Sequence, residues 1–381
     1  MKIAILGYGV VGSGAYEILT KNGYDVKWVL DIRPHSELGS ALTANYDDIL
    51  NDKEVGVVAE AIGGLEPAHT FVVKALKAGK NVVSSNKHLI CEYYDELHSL
   101  AKENGVTIRF TSAVGGGIPW LYNLSRTSNA DEITKVMGIM NGTTNFILDA
   151  MTTDGRDFDE VLKEAQALGY AEANPSADID GLDVARKTAI SSSIAFNTTV
   201  KECEVDTFSL RNITKSDILY IKEEFGKTVR YMGFGIKNED SISCFVEPVI
   251  LARDSLEANV NKNFNIISLF GKSVGRLSFY GQGAGKYPTG HALASDVIDT
   301  VNSCPKKSSF GKSVSVNNDG CERKYYIRAS VLPSSDLIES YKAQDNNYFI
   351  ITKKMKVSKI HTLAKSILES DPRAFFAGIE E

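Results

Sequence analysis

The sequence predicts an α/β protein in three parts: an N-terminal α/β domain on a parallel sheet, a second, mixed-sheet α/β domain, and a small α+β unit at the C-terminal end. Three observations lead there. Strand and helix patterns alternate through the first hundred residues, strand-like stretches recur among helices in the middle, and a polar stretch precedes a last strand-strand-helix-strand run. At 381 residues the chain is also too long for one ordinary core.

In chain order, Lys2–Leu6 reads as a buried strand followed by a glycine-rich turn and a helix over residues 11–20. Residues 24–30 form a second strand ending at Asp31, and 55–61 a third. A helix over 67–78 and a strand over 81–84 complete a pattern that implies right-handed crossovers between parallel strands. After a further short strand (106–110), the loop Ala113-Val114-Gly115-Gly116-Gly117-Ile118-Pro119 leads out of this domain. The middle section has a strand over 133–140, a turn at Asn141-Gly142-Thr143-Thr144, long helical segments, and strand-like stretches near 242–250, 265–269 and 278–280. Residues 305–320 are rich in Ser, Lys, Gly and Asn and read as a linker. Beyond it come strands over 324–331 and 348–352, a helix over 357–368 and a strand over 374–379. The expected domains are 1–125 with a returning helix over 286–303, 126–285, and 321–381.

Composition narrows the function. A net charge of −6 gives no electrostatic help to nucleic-acid or anionic-membrane binding, and Pro305-Lys306-Lys307 is read as a solvated loop. Five scattered cysteines show no zinc spacing and suit reduced thiols in a cytoplasmic protein. The first apolar run breaks at Gly7, too early for a signal peptide, and no stretch approaches membrane-spanning length.

Gly7-Tyr8-Gly9-Val10-Val11-Gly12 follows the first strand and opens a helix. Its first glycine permits a tight turn, the second lets backbone approach a pyrophosphate, and the third allows close helix–strand packing, with the helix N-terminus facing the anion. Asp31 lies about 20 residues further on, where a carboxylate binds a ribose 2′-hydroxyl. The first domain is therefore expected to be a Rossmann domain. Asp31 disfavours a 2′-phosphate and puts NAD ahead of NADP, while Arg33 stands close enough to accommodate one.

The most informative stretch runs Leu168-Gly169-Tyr170-Ala171-Glu172-Ala173-Asn174-Pro175-Ser176-Ala177-Asp178-Ile179-Asp180-Gly181-Leu182-Asp183-Val184-Ala185-Arg186-Lys187. Asp180-Gly181 reads as a turn and Leu182–Phe196 as a helix, placing Asp183, Lys187 and Ser191 on one polar stripe. An exposed salt bridge would explain that spacing. The apolar surroundings, with Glu172 and Asp178 just upstream, favour a cleft instead.

With these residues the sequence resembles the homoserine dehydrogenases. The stretch from Gly138 to Leu148, Ser85-Asn86-Lys87, and Gly283-Ala284-Gly285 with Pro288-Thr289 extend the likeness from Met1 to about Asn302. The resemblance implies reversible reduction of L-aspartate 4-semialdehyde to L-homoserine, on the route to threonine and methionine, with NAD or NADP. It implies Lys187 as proton donor and Lys87 as a second active-site lysine near the nicotinamide. Glu172 and Asp183 would bind the substrate's amino group, with Asp178 and Thr143 beside them. Gly7, Gly9, Val10, Val11, Gly12, Asp31, Arg33, Gly63, Lys87, Gly169 and Gly285 would contact the cofactor. It also implies a homodimer or higher homo-oligomer. The chemistry agrees: an alkoxide formed by hydride delivery needs a proton and a positive charge, and an ammonium supplies both.

Two features depart from the family. A glutamate that serves a sodium site is replaced by Thr111, leaving only the Val114, Gly116 and Ile118 carbonyls. The tail resembles a shortened ACT domain, whose β-α-β-β-α-β order would have an abbreviated first helix and second strand, and no threonine inhibition is expected. The rival readings are a dehydrogenase of a related amino-acid semialdehyde or amino acid, and a non-catalytic nucleotide-bound sensor.

Overall fold

The computed structural model describes residues 1–303 and 314–380 and forms two compact units. The first comprises Met1–Arg126 and a returning segment that begins at Gly281; the second comprises Thr127–Tyr280 and the C-terminal segment.

In the first unit, β1 (Lys2–Leu6), α1 (Val10–Lys21), β2 (Val26–Leu30), β3 (Leu42–Thr43), α2 (Tyr46–Leu50), β4 (Val55–Glu60), α3 (Ala68–Lys77), β5 (Asn81–Ser84), α4 (Lys87–Glu103) and β6 (Ile108–Arg109) follow in order. The six strands are all parallel, in the order β3-β2-β1-β4-β5-β6. This is the Rossmann arrangement, and its direction reverses between β1 and β4. The near-continuous apolar runs of β1 and β4 follow from burial on both faces. One face is closed by α1 together with the returning helix Lys286–Val301. Those two helices touch at glycines: a Cβ on Gly14 would overlap the Lys286 carbonyl, and one on Gly290 would lie 2.8 Å from the Ala15 nitrogen.

After α5 (Trp120–Ser128) the second unit contains β7 (Ile133–Ile139), α6 (Gly142–Thr153), α7 (Phe158–Ala167), α8 (Ser176–Ile179), α9 (Leu182–Phe196), β8 (Asp206–Thr207), α10 (Lys215–Phe225), β9 (Lys227–Lys237), β10 (Ser241–Ala252), β11 (Phe264–Gly271) and β12 (Gly275–Gln282). The returning helix is α11, and β13 (Ser315–Val316), β14 (Glu322–Ala329), β15 (Ile338–Gln344), β16 (Asn347–Thr352), β17 (Met355–Lys356), α12 (Val357–Ser370) and β18 (Phe375–Ile379) complete the described chain. The main path of the mixed sheet is β12-β11-β7-β9-β10-β18-β14-β16-β15. From β11 onward along this path neighbours are antiparallel except β10 and β18, and β13 and β8 also pair in parallel with β10.

The central strand β9 is not marked in the sequence reading, because Gly233 and Gly235 interrupt its pattern. They have a packing reason. A Cβ on Gly233 would overlap Thr188 Oγ1 and one on Gly235 would overlap Ser192 Oγ, so their absence lets α9 lie directly on the sheet.

Three expectations about the tail change. The first part of the expected linker, with Pro305-Lys306-Lys307, lies outside the described residues, as does Cys304. The remainder is structured: Ser315 and Val316 pair with Ser241 and Ile242, and Asn318 Oδ1 accepts from the Cys244 N–H. The second strand of the tail, expected to be abbreviated, is the full strand β15; only the first helix is reduced, to the single turn Ser335–Leu337. Nor does the tail stand apart, since β18 pairs with β10 and joins the two sets of strands into one sheet.

Strand alternation fixes the tail on both faces. Tyr325 and Ile327 share a core with Ile360 and Ala364 of α12. On the other face, the Tyr326 hydroxyl (2.7 Å) and Arg328 Nε (2.8 Å) both donate to the buried Asp217 of α10. Among the described residues, no helix is long and apolar enough to cross a membrane.

Candidate active site

In the first unit the glycine turn follows its expected logic. Gly7 has φ +92°, and a Cβ there would lie 2.8 Å from the Ala61 carbonyl oxygen. A Cβ on Gly12 would overlap the Gly7 carbonyl, whereas one on Gly9 would meet nothing within 4 Å, which leaves room over that peptide. Gly9 precedes α1, whose first residues are Val10 and Val11, so the helix N-terminus faces the turn.

Asp31 closes the turn by accepting from the Tyr8 N–H at 2.8 Å. Arg33 donates to the same carboxylate through Nε (3.1 Å) and Nη2 (3.0 Å). The guanidinium holds Asp31 well below the usual carboxylate range, so Asp31 stays anionic. Gly63 sits at φ +81° in the turn after β4, Lys87 is the first residue of α4 behind its N-cap Asn86, and Gly285 is the N-cap of α11.

The loop at the family's sodium position, where Thr111 replaces the glutamate, offers little charge. The Thr111 N–H donates to Asp296 Oδ2 at 2.7 Å, the Ile118 N–H donates to the Gly115 carbonyl, and Gly116 abuts Gly283. Among the described residues, no group of three His, Cys, Asp or Glu side chains could hold a metal ion. Val114, Gly116 and Ile118 thus bring no carboxylate of their own.

In the second unit, α9 has the bounds its pattern predicts. Gly181 precedes it at φ +84°, where a Cβ would overlap the Tyr231 hydroxyl and Thr207. Asp183 and Lys187 are not an exposed salt bridge: they are 5% and 6% exposed. Lys187 Nζ donates to Asp183 Oδ2 at 2.9 Å and to the Met140 carbonyl at 2.6 Å. That carbonyl is at the end of β7, where the chain turns into α6.

Asn141, at the same turn, joins the group. Its Nδ2 donates to Asp178 Oδ1 (2.7 Å) and to Asp183 Oδ2 (2.8 Å), while its Oδ1 accepts from the Thr144 N–H and caps α6. The cap is therefore Asn141, and neither Thr143 nor Thr144 serves as it. Thr143 Oγ1 donates instead to the Tyr170 carbonyl at 2.6 Å. Gly169, at φ +74°, ends α7 and turns the chain so that this carbonyl is presented.

The structure thus brings Asp178, Asp183 and Lys187 together through Asn141. Glu172 is exposed and makes no side-chain hydrogen bond to that set among the described residues. The other cofactor-side candidates, Gly169 aside, lie in the first unit. Two residues were not among the expected site residues. Asn141 was legible as an N-cap type at a strand–helix junction. Glu60, fully buried at the end of β4, was legible as a lone carboxylate in the apolar run Val57-Val58-Ala59-Glu60-Ala61-Ile62.

The chain is similar to known homoserine dehydrogenases. The family model described as homoserine dehydrogenase matches residues 119–298, and that described as the homoserine dehydrogenase NAD binding domain matches residues 7–111. A homoserine dehydrogenase of Synechocystis sp. is 37% identical over 361 residues, covering 90% of this chain and 82% of its own. The crystal structure of a homoserine dehydrogenase from Thiobacillus denitrificans superposes with a TM-score of 0.88 at 31% identity, covering 100% of this chain and 98% of its own. A hyperthermophilic archaeal homoserine dehydrogenase in complex with NADPH matches with a TM-score of 0.69 at 25% identity, over 80% of this chain and 98% of its own.

Proposed function

The chain belongs to the homoserine dehydrogenase family, which reversibly reduces L-aspartate 4-semialdehyde to L-homoserine, and from that premise we propose how its residues divide the work. Lys187 is the proton donor to the alkoxide in reduction and the acceptor in oxidation. The observation that carries this reading is the buried Asp183–Lys187 pair, whose Asp183 is tied to Asp178 by Asn141 at the turn from β7 to α6. A buried ammonium held at two fixed acceptors has its proton aimed before substrate arrives, which is the preorganisation a developing alkoxide requires.

Asp183 and Asp178, with Glu172, are the carboxylates that receive the substrate's ammonium group. Asn141 separates the first two and keeps both anionic oxygens placed, and Thr143 fixes the Tyr170 turn beside them. Lys87 serves at the nicotinamide end. The bound dinucleotide supplies or receives the hydride; the glycine turn and the α1 N-terminus would hold its pyrophosphate.

NAD is the proposed preferred cofactor, because the anionic Asp31 repels a 2′-phosphate. Arg33, already bonded to Asp31, is the residue that would admit NADP. We place the enzyme in the cytoplasm, in keeping with the free thiols of Cys91, Cys203, Cys244 and Cys321, and propose a homodimer, which light scattering on the purified protein would test.

The deciding experiment follows nicotinamide absorbance with L-homoserine at alkaline pH, in parallel with NAD and NADP. Turnover in wild type, lost in Lys187→Ala while dinucleotide affinity is kept, is the expected result. Wild-type rates in Lys187→Ala would remove Lys187 from the mechanism.

A further inference from the structure

We propose that Glu60 is a positioning residue for the dinucleotide end of the site, its buried carboxylate locking the loop after β4 to the loop after β5 and thereby holding Gly63 and Lys87 in register. The inference rests on reading Gly63 and Lys87 as cofactor-side residues.

Glu60 is the last residue of β4 and lies in register with Leu6 of β1 on one side and Ser84 of β5 on the other. That is the carboxyl end of the sheet beside the β1/β4 reversal, where ligands of such sheets bind. Its carboxylate accepts four hydrogen bonds: from the N–H groups of Ile62 (2.8 Å) and Gly63 (3.3 Å), from Ser84 Oγ (2.5 Å) and from Asn86 Nδ2 (3.5 Å). Two of these donors belong to the turn after β4, one ends β5 and one follows it.

The second loop is tied back to the first. Asn86 Nδ2 also donates to the Gly64 carbonyl at 2.6 Å, its N–H donates to Ser84 Oγ, and its Oδ1 caps α4 at Leu89. Lys87 follows directly on this cap, so its backbone position is set by the same network. Gly63 and Gly64 take φ of +81° and +71°, which glycine adopts without steric cost.

Burial alone gives no reason for a carboxylate here. Val57, Val58 and Ala59 are fully buried, and an apolar residue would extend that core without desolvating a charge. Burial pushes the Glu60 carboxyl above its ordinary range, and the surrounding donors oppose this without cancelling it. What an apolar residue could not do is accept from two loops at once.

The test compares Glu60→Gln and Glu60→Leu with wild type, measuring the dissociation constants of NADH and NADPH by fluorescence, kcat, KM for L-homoserine and Tm. Glu60→Leu is expected to bind the preferred dinucleotide about tenfold or more weakly, as loss of hydrogen bonds to a charged group implies. Its kcat should fall as Lys87 shifts, while KM for L-homoserine stays within about twofold of wild type. Glu60→Gln should recover most of the affinity, since its amide oxygen accepts from Ile62 and Gly63 and its amino group donates to Ser84 Oγ. Unchanged dinucleotide affinity in folded Glu60→Leu overturns the proposal, as does Gln impaired as much as Leu. If Glu60→Leu does not fold, Ser84→Ala replaces it: weaker dinucleotide binding supports the proposal and unchanged binding overturns it. Wild type that binds neither dinucleotide would instead sink the assignment of Gly63 and Lys87.

Discussion

At the scale of single residues, the site depends on groups that do two things at once. Asn141 caps a helix through its oxygen and separates two carboxylates through its nitrogen. These roles can be split. Asn141→Ala loses both and should cost about 1 kcal/mol of stability from the cap alone. Asn141→Ser keeps a comparable cap acceptor without adding a charge, but its short hydroxyl cannot reach both carboxylates, so it should restore much of the Tm while kcat/KM for L-homoserine stays at least about tenfold down. Recovery of both by Ser would show that the amide donor is irrelevant to the chemistry. Asp31 and Arg33 are a second such pair. Arg33→Ala should lower kcat/KM with NADP more than with NAD, and a change equal for both cofactors would show that Arg33 does not read the 2′ position.

At the scale of elements, the position of Lys187 is decided by how closely α9 approaches β9. Two glycines make that approach possible, and Gly233 faces Thr188, one residue beyond Lys187. Gly233→Ala should destabilise the protein by about 1–3 kcal/mol through overpacking and reduce kcat as α9 shifts. Gly233→Ala/Thr188→Ala should be less destabilised than the sum of its parts, because the hydroxyl that a Cβ would strike is gone. Denaturant titration of the three variants measures this coupling, and strict additivity would contradict the contact.

At the scale of the whole molecule, acid sensitivity follows from carboxylates held below their ordinary range. Lys237 and Lys272 hold Glu132 at about 2; Asp52 is lowered by Lys27 and Trp28, and Asp31 by Arg33. In Asp180, burial works in the opposite direction, but Arg211 and Ser209 outweigh it. An unfolded chain titrates these groups near 3.9–4.3, so it takes up protons before the folded state does. Their stabilisation is complete above that range and is lost as pH falls through it towards the folded values. Thermal melts should show little change in Tm between pH 6 and 5 from this source and a steep fall below about pH 4. A Tm that holds steady to pH 2.5 would mean that these pairs contribute nothing.

The sequence by itself determined the parallel first sheet, the glycine turn, the span of α9 and the helical spacing of Asp183 and Lys187, because each is a local pattern of period, cap or turn. Helical spacing places two side chains on one face but is silent about what covers that face. Only the tertiary structure decided that the pair is buried, that Asn141 joins Asp178 to Asp183, and that Glu60 ties two loops together. Those contacts span 37 residues between Asn141 and Asp178 and 24 between Glu60 and Ser84. The same reason hid β9: its glycines look like breaks along the chain and make sense only against the helix that lies on them. Likewise the tail's strands read as a unit of their own, since the pairing of β18 with β10 joins distant segments through backbone groups, which carry no mark in the sequence.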